Sequence, residues 1–173
     1  MKIAEALALI RPVPNFPIPG ILFQDIAPLI ANPKAFELVT KEFAQTDSSF
    51  NLVAGIESRG FIFASAIAID SAVGFVPIRK AGKLPGAVIK RDYGLEYGSD
   101  SLEMQVDALA HVKDPRVLLI DDVLATGGTA AATCRLVSAL GGDIVALAVL
   151  IELPFLEGRT KLDGIAVESL FTY

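Results

Sequence analysis

Apolar residues along this 173-residue chain fall into short runs divided by polar turns, and the period and length of each run predict its element. Residues 2–10 carry an apolar pattern broken by Lys2 and Glu5, which predicts a short surface helix. Pro12, Pro14, Pro17 and Pro19 then impose an extended path, Gly20 permits a turn, and a stretch so rich in proline is excluded as a central strand. Residues 33–45 predict a helix with Pro33 in its first turn and Phe36, Val39 and Phe43 on one side. Residues 51–56 predict a buried strand, and the alanine-rich segment from Phe61 to Ile69 the helix after it. Phe75-Val76-Pro77-Ile78 predicts a further strand, with Pro77 suited to a strand edge or end.

Residues 80–102 break this rhythm. Gly82, Pro85, Gly86, Gly94 and Gly98 mix there with charges and two tyrosines, which predicts a long mobile loop or a two-strand flap. Beyond it come a strand at 117–120, a helix at 128–140 ended by Gly141-Gly142, a strand at 144–151 and a shorter apolar segment in the tail. The alternation indicates an α/β fold, a single domain over 1–173 with a central, mostly parallel sheet flanked by helices and its sites at the carboxyl ends of strands. No internal repeat or low-complexity tract interrupts it.

Composition narrows the function. The apolar fraction is 53%, yet no continuous run is long enough to cross a bilayer and residues 1–10 lack a signal core, so no membrane association and a cytoplasmic location are expected. A formal charge of -5, from 15 basic and 20 acidic residues, argues against nucleic acid as a partner. Arg79, Lys80, Lys83, Lys90 and Arg91 nevertheless gather enough local positive charge to attract a small polyanion. Cys134 and His111 each stand alone, which excludes an intrachain disulfide and disfavours a soft-metal site. Any metal is expected to be Mg²⁺, held mainly by substrate oxygens and water.

The sharpest chemical signal follows the apolar run 117–120: Asp121-Asp122-Val123-Leu124-Ala125-Thr126-Gly127-Gly128-Thr129. The Thr-Gly-Gly-Thr turn offers consecutive backbone N–H groups to a phosphate at a helix start, and two carboxylates can accept hydrogen bonds from vicinal sugar hydroxyls. An ordinary strand-to-helix turn also uses an Asp cap and a Gly, but adjacent carboxylates repel, and sugar hydroxyls or a cation supply the missing compensation. The spacing of a dinucleotide fingerprint and the Gly-Lys-Ser/Thr of a Walker loop are both absent. A second turn, Ala54-Gly55-Ile56-Glu57-Ser58-Arg59-Gly60-Phe61, suits a diphosphate through Ser58, Arg59 and nearby N–H groups; read alone, it also fits a helix cap beside a solvated arginine.

With Phe16 through Asp25, Arg79 through Gly86 and Leu95-Glu96-Tyr97-Gly98, these segments resemble the type I phosphoribosyltransferases over nearly the whole chain. The 121–129 element is similar to the broad family, and the other segments together to its adenine-using branch. The resemblance implies a small hood near the N-terminus, contributed mainly by 12–30, and a flexible loop at 80–102. It implies Mg²⁺-dependent transfer of the 5-phosphoribosyl group from 5-phospho-α-D-ribose 1-diphosphate to adenine, giving AMP and diphosphate, a purine-salvage reaction run by a homodimer.

Carried over by motif, Ala125, Thr126, Gly127, Gly128 and Thr129 are expected on the 5-phosphate and Asp121 and Asp122 on the ribose hydroxyls. Ser58 and Arg59 would face the diphosphate from a turn that holds an unusual cis peptide in the family. Lys83 would approach it from the mobile loop, and Arg79 would reach the neighbouring subunit's site. Leu22 and Gln24 match the segment that reads the adenine edge through backbone groups, Phe23 its aromatic partner, and Leu153 the residue that packs on the base. Gln24 stands where the family often has Arg. Glu96 is the candidate for managing a purine proton, with Tyr97 positioning it or the diphosphate, and Glu96, Arg59, Lys83 and Arg79 form the expected catalytic set. A transferase for hypoxanthine or guanine and a nucleotide-responsive regulatory protein are the competing functions.

Overall fold

Alternating prolines leave one strand edge able to pair, and the chain uses it. After helix α1 (Ile3–Leu7), strand β1 (Arg11–Pro14) runs antiparallel to β2 (Leu22–Asp25) in a two-stranded sheet. Pro12 and Pro14 lie opposite Gln24 and Leu22, so both proline nitrogens face one edge while Arg11 and Val13 remain free to use their N–H groups. Helix α2 (Ala27–Ala31), which the sequence pattern did not predict, precedes α3 (Pro33–Ala44). Asn32 Oδ1 accepts the N–H groups of Lys34 and Ala35 at 3.1 Å each, which caps α3. Val39 and Phe43 are buried as expected, joined by Ala35 and Thr40, while Phe36 is half-buried. The helix expected over 2–10 is confined to five residues.

The computed structural model describes residues 1–95 and 98–173, and their contacts separate Met1–Phe43 from Ala44–Tyr173 as two units. In the second unit β3 (Leu52–Ile56), α4 (Gly60–Asp70), β4 (Gly74–Lys80), β5 (Val88–Leu95) and β6 (Gly98–Gln105) come first. They are followed by β7 (Arg116–Leu124), α5 (Gly128–Ala139), β8 (Asp143–Glu152), two 3-10 turns (Pro154–Leu156 and Gly158–Lys161) and β9 (Val167–Thr172). Among the described residues these strands form a seven-stranded sheet in the order β5-β6-β4-β3-β7-β8-β9. It is parallel from β4 to β9, and β6 runs antiparallel to both β4 and β5.

Helices cover both faces, and β3 shows how. Leu52 and Ala54 share a core with Ala130, Ala131 and Leu136 of α5, whereas a Cβ on Gly55 would press on Phe61 and Ala64 of α4. With side chains alternating along a strand, α4 and α5 lie on opposite faces. β3 is buried at all five positions, as its unbroken apolar run requires.

Two expectations are corrected and one choice is decided. The strand foreseen at 117–120 continues to Leu124, so Asp121 and Asp122 sit inside β7 and not in the turn after it. Pairing of Asp121 with Val149, Val123 with Ile151 and Leu124 with Glu152 extends the ladder that far, because Leu124 is itself an apolar core residue. The strand foreseen at 75–78 runs from Gly74 to Lys80 and is interior, not an edge. Pro77 is tolerated because β6 pairs with β4 only at Arg79 and Lys80. The Glu57 N–H to Ile78 C=O bond of 2.9 Å turns the polar groups of Ile78 toward β3, which leaves the nitrogen of Pro77 facing the open edge. Finally, of the two options for 80–102, the two-strand one is realised, as the β5–β6 hairpin that extends to Gln105 and widens the main sheet. No helix among the described residues is long and apolar enough to cross a membrane.

Candidate active site

The carboxyl ends of β7 and β3, neighbours in the sheet, each turn directly into a helix. After Leu124 the chain needs a sharp reversal to start α5, and Gly127 provides it in the left-handed region at φ 75°. A Cβ there would also overlap the Gly158 carbonyl, and one on Gly158 would overlap the Ala125 carbonyl. The two glycines therefore allow the 125–127 backbone to lie flat against the 3-10 segment behind it. The free N–H groups of the first turn of α5 open into a cavity of about 80 Å³ lined by Asp121 and residues Val123 through Ala130, with Leu147 and Val149 behind. That is small against the roughly 300–1,000 Å³ of pockets that enclose a whole drug-sized ligand, and it suits an anionic group better than a nucleoside.

Asp121 and Asp122 point to opposite sides of β7 and have different environments. Asp122 is buried, and its Oδ2 lies 2.6 Å from Arg59 Nε of the β3–α4 turn. Asp121 lines this cavity, and its Oδ1 accepts the Asp122 N–H at 2.8 Å. Desolvation, and then the charge of Asp122, push the Asp121 carboxyl well above the usual carboxylate range, with Arg59 acting the other way. The part of Asp121 that remains accessible is the part a hydroxyl-bearing ligand would meet.

The β3–α4 turn is brought close by Gly60, where a Cβ would meet the Ile120 carbonyl, the Asp121 Cα at 3.2 Å and Asp121 Oδ1 at 3.3 Å. The Glu57–Ser58 peptide is cis, in the turn where the resemblance implied such a bond, and Ser58 is exposed. Glu57, read from the sequence only as part of a cap, is an organising group: its Oε2 accepts Arg79 Nε at 3.2 Å and the Lys80 N–H at 2.8 Å. Arg79 also donates Nη1 to the Lys83 carbonyl at 3.1 Å and lies over the Phe61 ring at 5.9 Å from its centroid. Glu57 and Arg79 thus link the β3–α4 turn to the Lys83 backbone, while Arg59 of the same turn pairs with Asp122.

Two further links have no local sequence signal. Lys80 Nζ and the Tyr93 hydroxyl each lie 3.0 Å from Asp100 Oδ2, and Arg135 of α5 donates Nη2 to the Asp92 carbonyl of β5 at 3.3 Å. The hairpin is thereby tied to α5. Arg159 binds Glu152 through two bonds of 2.6 and 2.7 Å, which holds the 3-10 segment carrying Gly158, and Ser169 adds a bond to the same carboxylate. Leu153 is brought beside this turn, its N–H donating to the Leu124 carbonyl at 3.0 Å.

In the first unit, Phe23 packs edge-on against Phe16 at 5.1 Å between centroids and lines an apolar groove with Val13 and Asp25. Leu22 and Gln24 project from the other side of β2; Leu22 is exposed, whereas Gln24 is buried with its Nε2 unpartnered. Glu96 and Tyr97 lie outside the described residues. Cys134 is half-buried on α5, and burial pushes its thiol up to about 11, so it holds little thiolate at neutral pH. Among the described residues no group of three or more His, Cys, Asp or Glu side chains is placed to form a metal cage.

A sheet with helices on both faces, an anion-cradling turn and an acidic pair at the carboxyl edge of neighbouring parallel strands is the layout of phosphate-binding α/β enzymes. Residues 29–164 match the phosphoribosyl transferase domain family. The chain belongs to that family, in its adenine phosphoribosyltransferase branch. It is 53% identical over 167 residues to adenine phosphoribosyltransferase of Synechococcus sp. (strain CC9605), covering 95% of this chain and 96% of that one. The crystal structure of adenine phosphoribosyltransferase from Thermoanaerobacter pseudethanolicus superposes with a TM-score of 0.93 at 44% identity, covering 99% of this chain and 100% of the other. The Saccharomyces cerevisiae enzyme, solved with an imino-altritol bisphosphate and adenine, gives a TM-score of 0.89 at 39% identity, with 97% of each chain covered.

Proposed function

We propose that this chain transfers the 5-phosphoribosyl group from 5-phospho-α-D-ribose 1-diphosphate to adenine, giving AMP and diphosphate with inversion at the anomeric carbon. The observation that carries the reading is the joining of Asp121, Asp122 and the Ala125–Thr129 turn to Arg59 at the ends of two adjacent parallel strands. The turn takes the 5-phosphate through backbone N–H groups, and Asp121 and Asp122 accept the ribose hydroxyls. Ser58, Arg59 and Lys83 bind the diphosphate. Leu22 and Gln24 offer backbone groups to the adenine edge, with Phe23 and Leu153 as apolar partners of the base.

Breaking the bond from C1 to the diphosphate oxygen leaves positive charge on the ribosyl ring and negative charge on the leaving group, so groups that strengthen with that charge accelerate the step. Arg59 and Lys83 serve the leaving group, and we assign Arg79 the same task toward a neighbouring subunit of a homodimer. Adenine N9 forms the new bond to C1 and sheds its proton, for which Glu96 is assigned, with Tyr97 positioning it. Closure of the 80–102 flap keeps water from the activated sugar. Mg²⁺ would arrive on the substrate and be held mainly by its oxygens and water, with the accessible carboxyl of Asp121 as the hard oxygen lining the cavity; among the described residues no side-chain cage surrounds it. When bound, the ion neutralises part of the diphosphate charge. The cytoplasm is assigned from the family and the substrate class.

Diphosphate release from the phosphosugar with Mg²⁺ and adenine, hypoxanthine, guanine or no base tests the reading. Adenine-dependent release with matching AMP is the expected result. Release with another base overturns the purine assignment, and ligand binding without release under any condition favours a regulatory protein. Near-normal turnover by Glu96→Gln would remove its proton role, and an active monomer in sedimentation would remove the shared-site role of Arg79.

A further inference from the structure

Glu103 lies on β6 outside every motif the sequence singled out, yet it is 1% exposed and makes its strongest contacts with backbone. Its Oε1 accepts the N–H groups of both Lys83 and Leu84 at 2.8 Å, and its Oε2 lies 3.7 Å from Lys90 Nζ. Burial raises this carboxyl, but the N–H donors of Leu84, Gly82 and Lys83, helped by Lys90, outweigh it and hold the group below its ordinary value. A buried carboxylate must keep its donors, because losing them leaves an unpaired charge away from water. The 82–84 turn is therefore pinned to the hairpin by the one group that cannot release it cheaply. From the other side, Arg79 holds the Lys83 carbonyl at 3.1 Å, so the backbone of Lys83 is fixed at both its N–H and its C=O.

We infer that Glu103 is a positioning residue for phosphoribosyl transfer: it clamps the Gly82–Leu84 backbone so that Lys83 is presented to the diphosphate from a rigid base. The inference rests on the diphosphate role proposed above for Lys83. Glu103 touches no substrate, and its effect passes through Lys83 alone.

A double-mutant cycle tests this by steady-state kinetics with the phosphosugar and adenine varied separately. Lys83→Ala raises KM for 5-phosphoribosyl 1-diphosphate. Glu103→Gln, which keeps the side-chain volume but removes the charge, raises the same KM about tenfold and moves KM for adenine less than about twofold. In the Lys83→Ala background, Glu103→Gln adds less than about twofold. An equal effect in both backgrounds, or an equal rise for adenine, overturns the inference and leaves the Lys83 role standing. No effect of Lys83→Ala on the phosphosugar overturns the Lys83 role and the inference with it. If Glu103→Gln fails to fold, Glu103→Asp, which retains the charge but shortens the reach, runs the same cycle with the same outcomes.

Discussion

The turns that leave β3 and β7 occupy equivalent places on adjacent strands, and they are built from different parts. The β7–α5 turn offers backbone: Gly127 in the left-handed region, the free N–H groups of the first turn of α5, and Gly158 packed behind. The β3–α4 turn offers side chains: Arg59 reaching Asp122, and Glu57 reaching Arg79 and Lys80. On the roles proposed above, the difference follows the charge each turn would meet. A 5-phosphate keeps its charge through the reaction, so a rigid cradle of N–H dipoles serves it without reorganising. A departing diphosphate gains charge as its bond breaks, and long cationic side chains strengthen most where that charge grows.

The backbone side of this comparison is the more brittle, and the largest effect is expected there. Gly127→Ala combines a disfavoured φ with overlap of the Gly158 carbonyl, and should cost about 2–4 kcal/mol of stability and at least about 100-fold in kcat/KM for the phosphosugar. Thermal melts and steady-state kinetics check it, and Gly158→Ala should reproduce the loss although no substrate role is assigned to that residue. A Gly127→Ala protein with normal Tm and activity would break the claim that the cradle depends on this close approach.

On the side-chain turn the effect should fall on catalysis more than on stability. Arg59→Met is expected to lower kcat by about 100-fold while leaving KM for adenine nearly unchanged. The Arg59 side chain is 39% exposed, so the ion pair itself is screened, and the loss of stability should stay at about 1–2 kcal/mol, most of it from leaving the buried Asp122 without its cation. If Tm falls steeply while kcat holds, Arg59 is a brace for Asp122 and not a diphosphate ligand.

The same contrast explains what was legible in the sequence. Gly127 and the paired aspartates announce themselves because backbone recognition writes itself into a contiguous run, and the apolar strands before each turn fix the α/β order. The end of β7 is not legible because Asp121 and Asp122 look like turn residues, whereas Val123 and Leu124 pair with Ile151 and Glu152. Glu103, Tyr93, Asp100 and Gly158 left no signal, since each acts on a segment distant in sequence and is defined by what it touches after folding. Helix α2 was hidden by the proline-rich stretch before it and by its own Pro28.

The smallest expected effect separates the two carboxylates. Desolvation and the neighbouring Asp122 raise the carboxyl of Asp121, so the folded chain holds a proton at pH values where the unfolded chain has lost it. Stability contributed by that proton is present below the ordinary value of 3.8 and is lost as pH rises through the raised one, leaving a penalty at neutral pH. Asp121→Asn should remove the penalty. Its Tm should exceed that of the unaltered chain at pH 7, by an amount corresponding to about 1 kcal/mol, and the gap should close as pH falls toward the ordinary carboxylate range. The same change should lower kcat/KM for the phosphosugar by about 10- to 30-fold, because it removes a carboxyl oxygen assigned to a ribose hydroxyl. Melts from pH 4 to 8 beside kinetics at pH 7.5 check both halves, at pH values chosen to bracket the titration at about one unit per step. A variant less stable than the parent at pH 7 would mean that Asp121 is held by favourable contacts in the free chain. The strain placed at the sugar site would then have to be sought on the Arg59 side of the comparison.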